Sequence, residues 1–229
     1  MPIILAIETS SELASVALLQ DEQIRTRESS TVQTHSQTML PMVQSVLAEA
    51  GITLAQCDAL AFGVGPGSFT GVRTACGIVQ GLAFGAALPV IPIVTLHAMA
   101  QACHEASGAT DVLAVLDARM GEVYWAQYRY AGGWDTIVEP TLSTAGAIMP
   151  VGAVIACGNG LSAYPAAFED RIPAADRYPE VMPHAAQIAR LARVAYAGGD
   201  TLAARDAQPL YLRNRVALTT AERMAKGNS

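Results

Sequence analysis

A glycine-rich loop is the segment of this chain best suited to bind a ligand. Residues 63–73 read Gly-Val-Gly-Pro-Gly-Ser-Phe-Thr-Gly-Val-Arg and connect a predicted strand to a predicted helix. The backbone N–H groups of such a loop, at the positive end of a helix, can hold a phosphate group. No Gly-Lys-Ser/Thr sequence follows, so the loop is not a P-loop. The sequence favours the alternative, a tight loop and N-cap that set the helix against its sheet.

Two acidic residues, Glu8 and Asp117, end predicted strands at corresponding places in the two halves of the chain. In phosphotransferases an acid at such a place holds Mg²⁺ beside a glycine-rich phosphate turn. Here the turns that contain Ser10 and Arg119 have no glycine directly after the acid. We therefore expect Glu8, Ser10, Asp117 and Arg119 to mark at most a vestigial nucleotide or phosphate cleft. Either acid could also simply end its strand.

The remaining reactive side chains do not form a recognisable catalytic or metal-binding pattern. His35 and His184 are isolated, and His97 and His104 have neither the HxxxH nor the HExxH spacing of a zinc site. No serine lies in a Gly-x-Ser-x-Gly elbow, and no cysteine and histidine are paired for acyl transfer. The sequence therefore predicts no catalytic residue, no bound metal and no cofactor.

The composition indicates a globular protein that does not bind nucleic acid strongly on its own. Of the 229 residues, 52% are hydrophobic and 15% are charged, which excludes a disordered chain. The formal net charge of −6 is unsuited to neutralising many phosphates. The exception is the C-terminal tail with Arg213, Arg215, Arg223 and Lys226. Four charges on a terminus are typical of a solvated end rather than a binding arm.

The sequence favours a cytoplasmic location without a membrane contact. The stretch between Arg73 and Glu105 has no Asp, Glu, Lys or Arg, but Pro89 and Pro92 divide it. It therefore predicts a buried helix, strand and helix rather than a membrane span. No basic residue precedes Glu8, as one would in a signal peptide. The four cysteines are far apart, which is typical of reduced residues in a core.

The order of predicted elements in the first half is that of a ribonuclease H-like unit. Three consecutive strands precede strands that are linked by helices, which gives the order β-β-β-α-β-α-β-α. The predicted strands cover residues 2–9, 15–20, 24–31, 58–64 and 90–95, and the predicted helices cover residues 36–50, 70–87 and 96–106.

The second half repeats the beginning of the first half. Residues 113–125 resemble residues 4–16, and Glu8 aligns with Asp117. Further strands are predicted near 134–139 and 151–156, with a helix near 184–197. The chain is therefore predicted to be an α/β protein with a duplicated ribonuclease H-like fold of the actin, Hsp70 and sugar-kinase (ASKHA) type, with mixed sheets flanked by helices. We expect lobes at 1–106 and 107–229, with the C-terminal segment packing back on the first lobe.

Two helices of the first lobe predict a partner interface. The first helix has an apolar arc wider than the stripe of about 100° that one sheet face requires. In the second, glycines recur at i, i+4 and i+8, and each costs about 1 kcal/mol relative to Ala unless a backbone approaches closely. The alternative is a first helix sandwiched inside its own domain. The predicted interface residues are Met39, Met42, Val43, Val46, Gly77, Gly81 and Gly85.

Four motifs together resemble the TsaB (YeaZ) family, and the resemblance spans nearly the whole chain. They are ILAIETS at 4–10, GPGSFTG at 65–71, LDARMGEVY at 116–124 and PLYLR at 209–213. The second and third motifs are the most specific. One departure is Glu8, where members of the family commonly carry Asp, and this weakens a residual Mg²⁺ role.

The resemblance implies a subunit of the bacterial machinery that makes N6-threonylcarbamoyladenosine (t6A) at position 37 of tRNAs that read ANN codons. TsaB proteins are not the transferase; they dimerise with the paralogous catalytic subunit TsaD, which binds a metal and threonylcarbamoyl-AMP. TsaD-like proteins carry two histidine pairs. This chain has only His35 where the first pair belongs, and residues near Leu96 and Ala100 where the second pair belongs.

The resemblance also implies the partners. They are TsaD in a heterodimer that activates or stabilises it, the ATPase TsaE, and a second copy when the chain is alone. Contact with tRNA is expected only indirectly, through the complex. The alternative function is an enzyme in its own right, either an ASKHA-type phosphotransferase or a glycopeptidase-like enzyme.

Overall fold

The computed structural model describes residues 1–30 and 35–213. Its strands form two mixed five-stranded sheets with the same topology. The first sheet has the order β3-β2-β1-β4-β5, with β1 Ile4–Glu8, β2 Ala14–Gln20, β3 Gln23–Ser29, β4 Ala59–Gly65 and β5 Val90–Val94. In the second sheet the order is β8-β7-β6-β9-β10, with β6 Asp111–Arg119, β7 Glu122–Tyr130, β8 Trp134–Thr144, β9 Ile155–Cys157 and β10 Arg177–Tyr178.

Both sheets have the strand pairing of a ribonuclease H-like unit. The first three strands of each pair antiparallel, and the other two are added in parallel on the far side of the first strand. The duplicated ribonuclease H-like fold predicted from the sequence is therefore confirmed. The helices that accompany these sheets are α1 His35–Ala50, α2 Phe69–Ala86, α3 Thr95–Ser107, α4 Gly160–Ala163 and α5 Ala185–Gly198.

The central strands of the first sheet are covered on both faces. Every residue of β1 and β4 is buried, as expected for strands between two helical layers. Helices α1 and α2 form one core with Leu5, Ile7 and Leu60, whereas α5 packs on the opposite face against Ile4 and Ala6. The edge strand β3 alternates between exposed and half-buried positions.

The C-terminal segment after the second sheet returns to the first sheet. The N–H of Ala185 donates to Ser15 Oγ over 3.0 Å at the start of α5. Leu202 then forms an antiparallel bridge with Val90, and the N–H of Leu210 donates to the carbonyl of Val64 over 2.8 Å. We propose a lobe boundary at 106/107, with residues 185–213 packed on the first lobe.

The predicted interface stripe of α1 requires a correction. Met39, Met42, Val43 and Val46 are at most 9% exposed and belong to the core between the sheet and α2. The wide apolar arc of α1 is needed because two layers of the same lobe, the sheet and α2, contact it. The alternative of a helix sandwiched inside its own domain therefore describes these four side chains, and they form no exposed surface on the isolated chain.

The glycines of α2 differ from that stripe because they face outward. Gly77, Gly81 and Gly85 are exposed, and a Cβ atom added at any of them would have no neighbour within 4 Å. No contact within the described part of the chain requires glycine at these positions.

Replacing Val43 by Glu should unfold the first lobe rather than produce a folded monomer. The side chain is 3% exposed in an apolar core, so an acid would be buried without a partner. We expect the free energy of unfolding to fall by about 3 kcal/mol or more, measured by urea denaturation.

Gln44→Glu is the matched control because Gln44 is the exposed neighbour on the same helix. Its free energy of unfolding should stay within about 0.5 kcal/mol of the wild type. A stable, folded Val43→Glu protein would show that α1 is not held as the structure describes.

Candidate functional site

A cleft of about 570 Å³ lies where the two sheets face each other. Four segments line it: residues 10–12 after β1, residues 66–69 at the start of α2, residues 116–120 at the β6–β7 turn, and residues 210–213 of the C-terminal segment. Val72, Tyr124 and Asn159 complete the lining. This is the place at which a ribonuclease H-like duplication brings together the ends of its two first strands.

Three of the four predicted cleft residues line this cleft, and Glu8 does not. Ser10, Asp117 and Arg119 face it, whereas Glu8 is completely buried beneath the loop. A Cβ atom on Gly63 would overlap the Glu8 carboxyl group, so the strand next to β1 closes over it. The carboxyl is therefore sealed from the cleft.

Burial raises the pKa of Glu8, although hydrogen bonds from Ser10 oppose that shift. Its Oε1 accepts a hydrogen bond from the N–H of Ser10, and its Oε2 has no partner among the described residues. A Mg²⁺ ligand must be ionised and accessible, and Glu8 is disfavoured on both counts.

Asp117 is held by neighbouring residues at the β6–β7 turn. Its Oδ1 accepts hydrogen bonds from the N–H of Arg119 over 2.8 Å and from the Tyr164 hydroxyl over 3.1 Å. Its Oδ2 lies 3.4 Å from Nη1 of Arg119. Nη2 of Arg119 reaches across the cleft to Oε1 of Glu12, at 3.0 Å. Asp117 is therefore part of an ion-pair network that connects the two sheets through Arg119.

The glycine-rich loop is packed against the end of β1 instead of forming an open cradle. A Cβ atom on Gly71 would overlap the carbonyl oxygen of Thr9, and one on Gly67 would lie 2.6 Å from Ser10 atoms. The N–H of Ser68 donates to the Ser10 carbonyl over 2.7 Å. Ser68 Oγ in turn accepts from the N–H of Gly71 as the N-cap of α2. This geometry is the tight loop and N-cap that the sequence favoured.

Arg213 is a cleft residue whose role the sequence did not indicate. Its side chain is 15% exposed, and Nη2 lies 2.6 Å from Oε2 of Glu122 on β7. From the sequence, Arg213 is expected to belong to a solvated basic tail. The structure instead makes it the point at which the C-terminal segment crosses to the second sheet. The other tail residues of that group, Arg215, Arg223 and Lys226, lie outside the described residues.

The outward face of α2, next to the cleft, is apolar and rich in glycine. Phe84 is 82% exposed beside Gly77 and Gly81. At the other end of the helix the guanidinium of Arg73 lies 3.2 Å from the ring centroid of Phe69 and 4.9 Å from that of Tyr211. Sequence reasoning found the glycines but missed Arg73 and Phe84, although their i−4 and i+3 spacing from Gly77 and Gly81 placed them on the same face.

The histidines of α3 take part in packing. His97 stacks on Tyr128 with 4.9 Å between ring centroids, and burial lowers its pKa to about 4. Nδ1 of His104 lies 2.7 Å from the carbonyl oxygen of Ala109. Within residues 1–30 and 35–213, no three His, Cys, Asp or Glu side chains are grouped so that they could hold a metal. Across the same ranges, no helix is long and apolar enough to cross a bilayer.

Replacing Glu8 by Gln should increase stability at neutral pH and leave it unchanged in acid. Because its pKa is raised in the fold, the stability linked to Glu8 is fully present below its ordinary pKa of 4.5. That stability is lost as the pH rises through the folded-state value. Gln keeps the neutral form at every pH, so the two urea midpoints should diverge as the pH rises above 4.5.

Glu169→Gln is the control because Glu169 is exposed. It should follow the pH profile of the wild type. A Glu8→Gln profile parallel to that of the wild type at every pH would mean that the carboxyl is not shielded from water.

The chain is similar over most of its length to curated and solved proteins. It is 41% identical to the tRNA threonylcarbamoyladenosine biosynthesis protein TsaB of Escherichia coli K12, over 93% of this chain and 96% of that protein. Its identity with TsaB of Haemophilus influenzae is 43%, over 93% of this chain and 94% of that protein. The crystal structure of YeaZ from Pseudomonas aeruginosa superposes with a TM-score of 0.86 at 38% identity and covers 93% of this chain and 100% of that one.

A family model agrees with these relatives. The model described as TsaD, tRNA N6-adenosine threonylcarbamoyltransferase, matches residues 28–222. The two relatives cited above, which align over more than nine-tenths of both chains, are TsaB proteins. On this evidence the chain belongs to the TsaB (YeaZ) family.

Proposed function

We propose that this chain is the non-catalytic subunit that dimerises with TsaD and activates or stabilises it for threonylcarbamoyl transfer to adenosine 37 of tRNA. The observation that carries the proposal is the outward face of α2, where Gly77, Gly81 and Gly85 lie open beside the exposed ring of Phe84. The names of the relatives, which place them in threonylcarbamoyladenosine biosynthesis, support the pathway.

The cost of the glycines supports a partner on this face. Each glycine inside a helix destabilises it by about 1 kcal/mol relative to alanine. Position 71 must be glycine because the Thr9 carbonyl leaves no space for a side chain. Gly77, Gly81 and Gly85 have no such neighbour. A partner backbone packed closely across α2 would use all three positions. The proposed interface therefore consists of these three glycines and Phe84. The buried residues of α1 are not part of it.

Side chains and backbone groups around the cleft are already engaged with each other, which supports a subunit that does not catalyse a reaction itself. Glu8 is sealed and favoured in its neutral form, and Asp117 is engaged by Tyr164 and Arg119. The N–H groups of Ser68 and Gly71 already have acceptors, the Ser10 carbonyl and Ser68 Oγ. A nucleotide phosphate would have to displace these contacts before it could bind.

The remaining partners follow from the same proposal. TsaE joins the pair, and the chain forms a homodimer through α2 when TsaD is absent. The net charge of −6 is consistent with tRNA contacts that come through the complex. The chain works in the cytoplasm, without a cofactor and without a membrane contact.

Replacing Gly81 by Leu should abolish the complex with TsaD while leaving the fold intact. A side chain at this position meets open space, and leucine favours the helix, so the melting temperature should stay equal or rise. The same side chain would hold a partner helix away from α2. Co-expression with TsaD from the same organism, followed by gel filtration, measures the loss of the stoichiometric complex.

Gly198→Leu provides the matched control because Gly198 is also exposed and helical but lies on α5. Its complex should elute with the wild-type complex. Normal binding by Gly81→Leu would exclude α2 as the docking face, and failure of the wild type to bind TsaD would exclude the proposed function.

The purified chain should not turn over ATP when Mg²⁺ is supplied. Its two candidate acids are sealed or engaged, so neither is free to hold a metal against a phosphate. Phosphate release should equal that of a buffer blank in a coupled assay. Turnover that rises with protein concentration and disappears in an Asp117→Asn variant would support the phosphotransferase alternative instead.

A further inference from the structure

Arg73 is the one charged residue of α2, and it contacts two aromatic rings. Its guanidinium lies over Phe69, and the ring of Tyr211 in the C-terminal segment lies 4.9 Å from it. The two rings are themselves in contact, with centroids 5.8 Å apart. Cation–π contacts of this kind hold a flexible side chain in one orientation before any partner arrives.

The charge of Arg73 has no carboxylate partner among the described residues. Several other arginines of the fold are paired with a carboxylate, for example Arg27 with Glu49, Arg129 with Asp111 and Arg190 with Glu105. Arg73 instead lies on the exposed stripe that continues through Gly77 and Gly81. A fixed and unpaired cation on a face without acids is complementary to an anion.

The neighbours of Arg73 favour a protein carboxylate over an RNA phosphate. Nucleic-acid surfaces use several cations together, and α2 has one. The rest of the face consists of Thr70, the three glycines and the exposed ring of Phe84, and the glycines suit close helix contact. When such a face is covered, the cation loses water, and its desolvation cost is offset only if the partner brings an acid to it.

A second copy of the chain does not meet this requirement on the same face. Its α2 contains no acid. The one acid of its α1, Glu49, is already paired with Arg27 and Arg25. Two identical copies that dock through these helices would therefore bury Arg73 without a free carboxylate.

We propose that Arg73 determines which partner binds the α2 face. The occupant is a different protein whose facing helix has small residues and an Asp or Glu that pairs with this guanidinium. The inference rests on the proposed function, because it takes the α2 face as the docking surface. It adds that the heterodimer is preferred to the homodimer because only the heterodimer neutralises Arg73.

The test compares Arg73→Gln with the wild type in two titrations. One measures binding to the TsaD protein of the same organism by calorimetry, and the other measures self-association by sedimentation. Loss of one member of a desolvated charge pair should weaken heterodimer binding by at least about 30-fold. Self-association should be unchanged or tighter, and equal melting temperatures would show that the variant is folded.

Two further variants test whether the guanidinium shape of Arg73 matters beyond its charge, and whether loss of an arginine elsewhere has the same effect. Arg73→Lys keeps the charge but loses the flat guanidinium that stacks on the rings, so its affinity for TsaD should lie between those of the wild type and Arg73→Gln. Arg205→Gln is the matched control because Arg205 is 86% exposed and its ion pair is with its own neighbour, Asp206. It should bind TsaD as the wild type does.

The outcomes distinguish the inference from the proposed function. If the wild type does not bind TsaD, the proposed function fails and the inference fails with it. If the wild type binds and Arg73→Gln binds equally well, only the inference is overturned. Equal weakening of homodimer and heterodimer would contradict the selective role. A loss of tRNA binding with unchanged TsaD binding would assign Arg73 to a phosphate instead.

Discussion

The close contact between the glycine-rich loop and the end of β1 is the constraint on which the position of α2 depends. Gly71 places its Cα against the carbonyl of Thr9, and the N–H of Ser68 is bonded to the carbonyl of Ser10. These contacts fix where α2 begins and how it crosses the sheet. Glu8, at the end of β1, is buried where Gly63 of β4 lies against its carboxyl group.

The C-terminal segment reinforces this arrangement from the other side. The N–H of Leu210 bonds to the carbonyl of Val64, Tyr211 lies beside Arg73, and Arg213 pairs with Glu122 on the second sheet. The segment therefore connects the loop, the start of α2 and the second sheet. These contacts leave Gly77, Gly81 and Phe84 of α2 exposed.

The sequence predicted the element order, the duplication and the outward glycines because these follow from local periodicity and spacing. It misjudged α1 because the width of an apolar arc does not reveal whether the second layer is the chain's own α2 or another protein. It misjudged Arg213 because Glu122 is 91 residues away. The two-residue strand β10 was not predicted because it has too few residues to show a period.

Hydrogen–deuterium exchange of the chain with and without TsaD most directly tests whether α2 is the docking face. TsaD should slow exchange of the amides between Arg73 and Gly85, while amides of α5, on the opposite face of the sheet, should exchange at the same rate in both samples. Protection confined to α5, or to the cleft around Asp117 with α2 unchanged, would contradict the assignment of α2 as the partner surface.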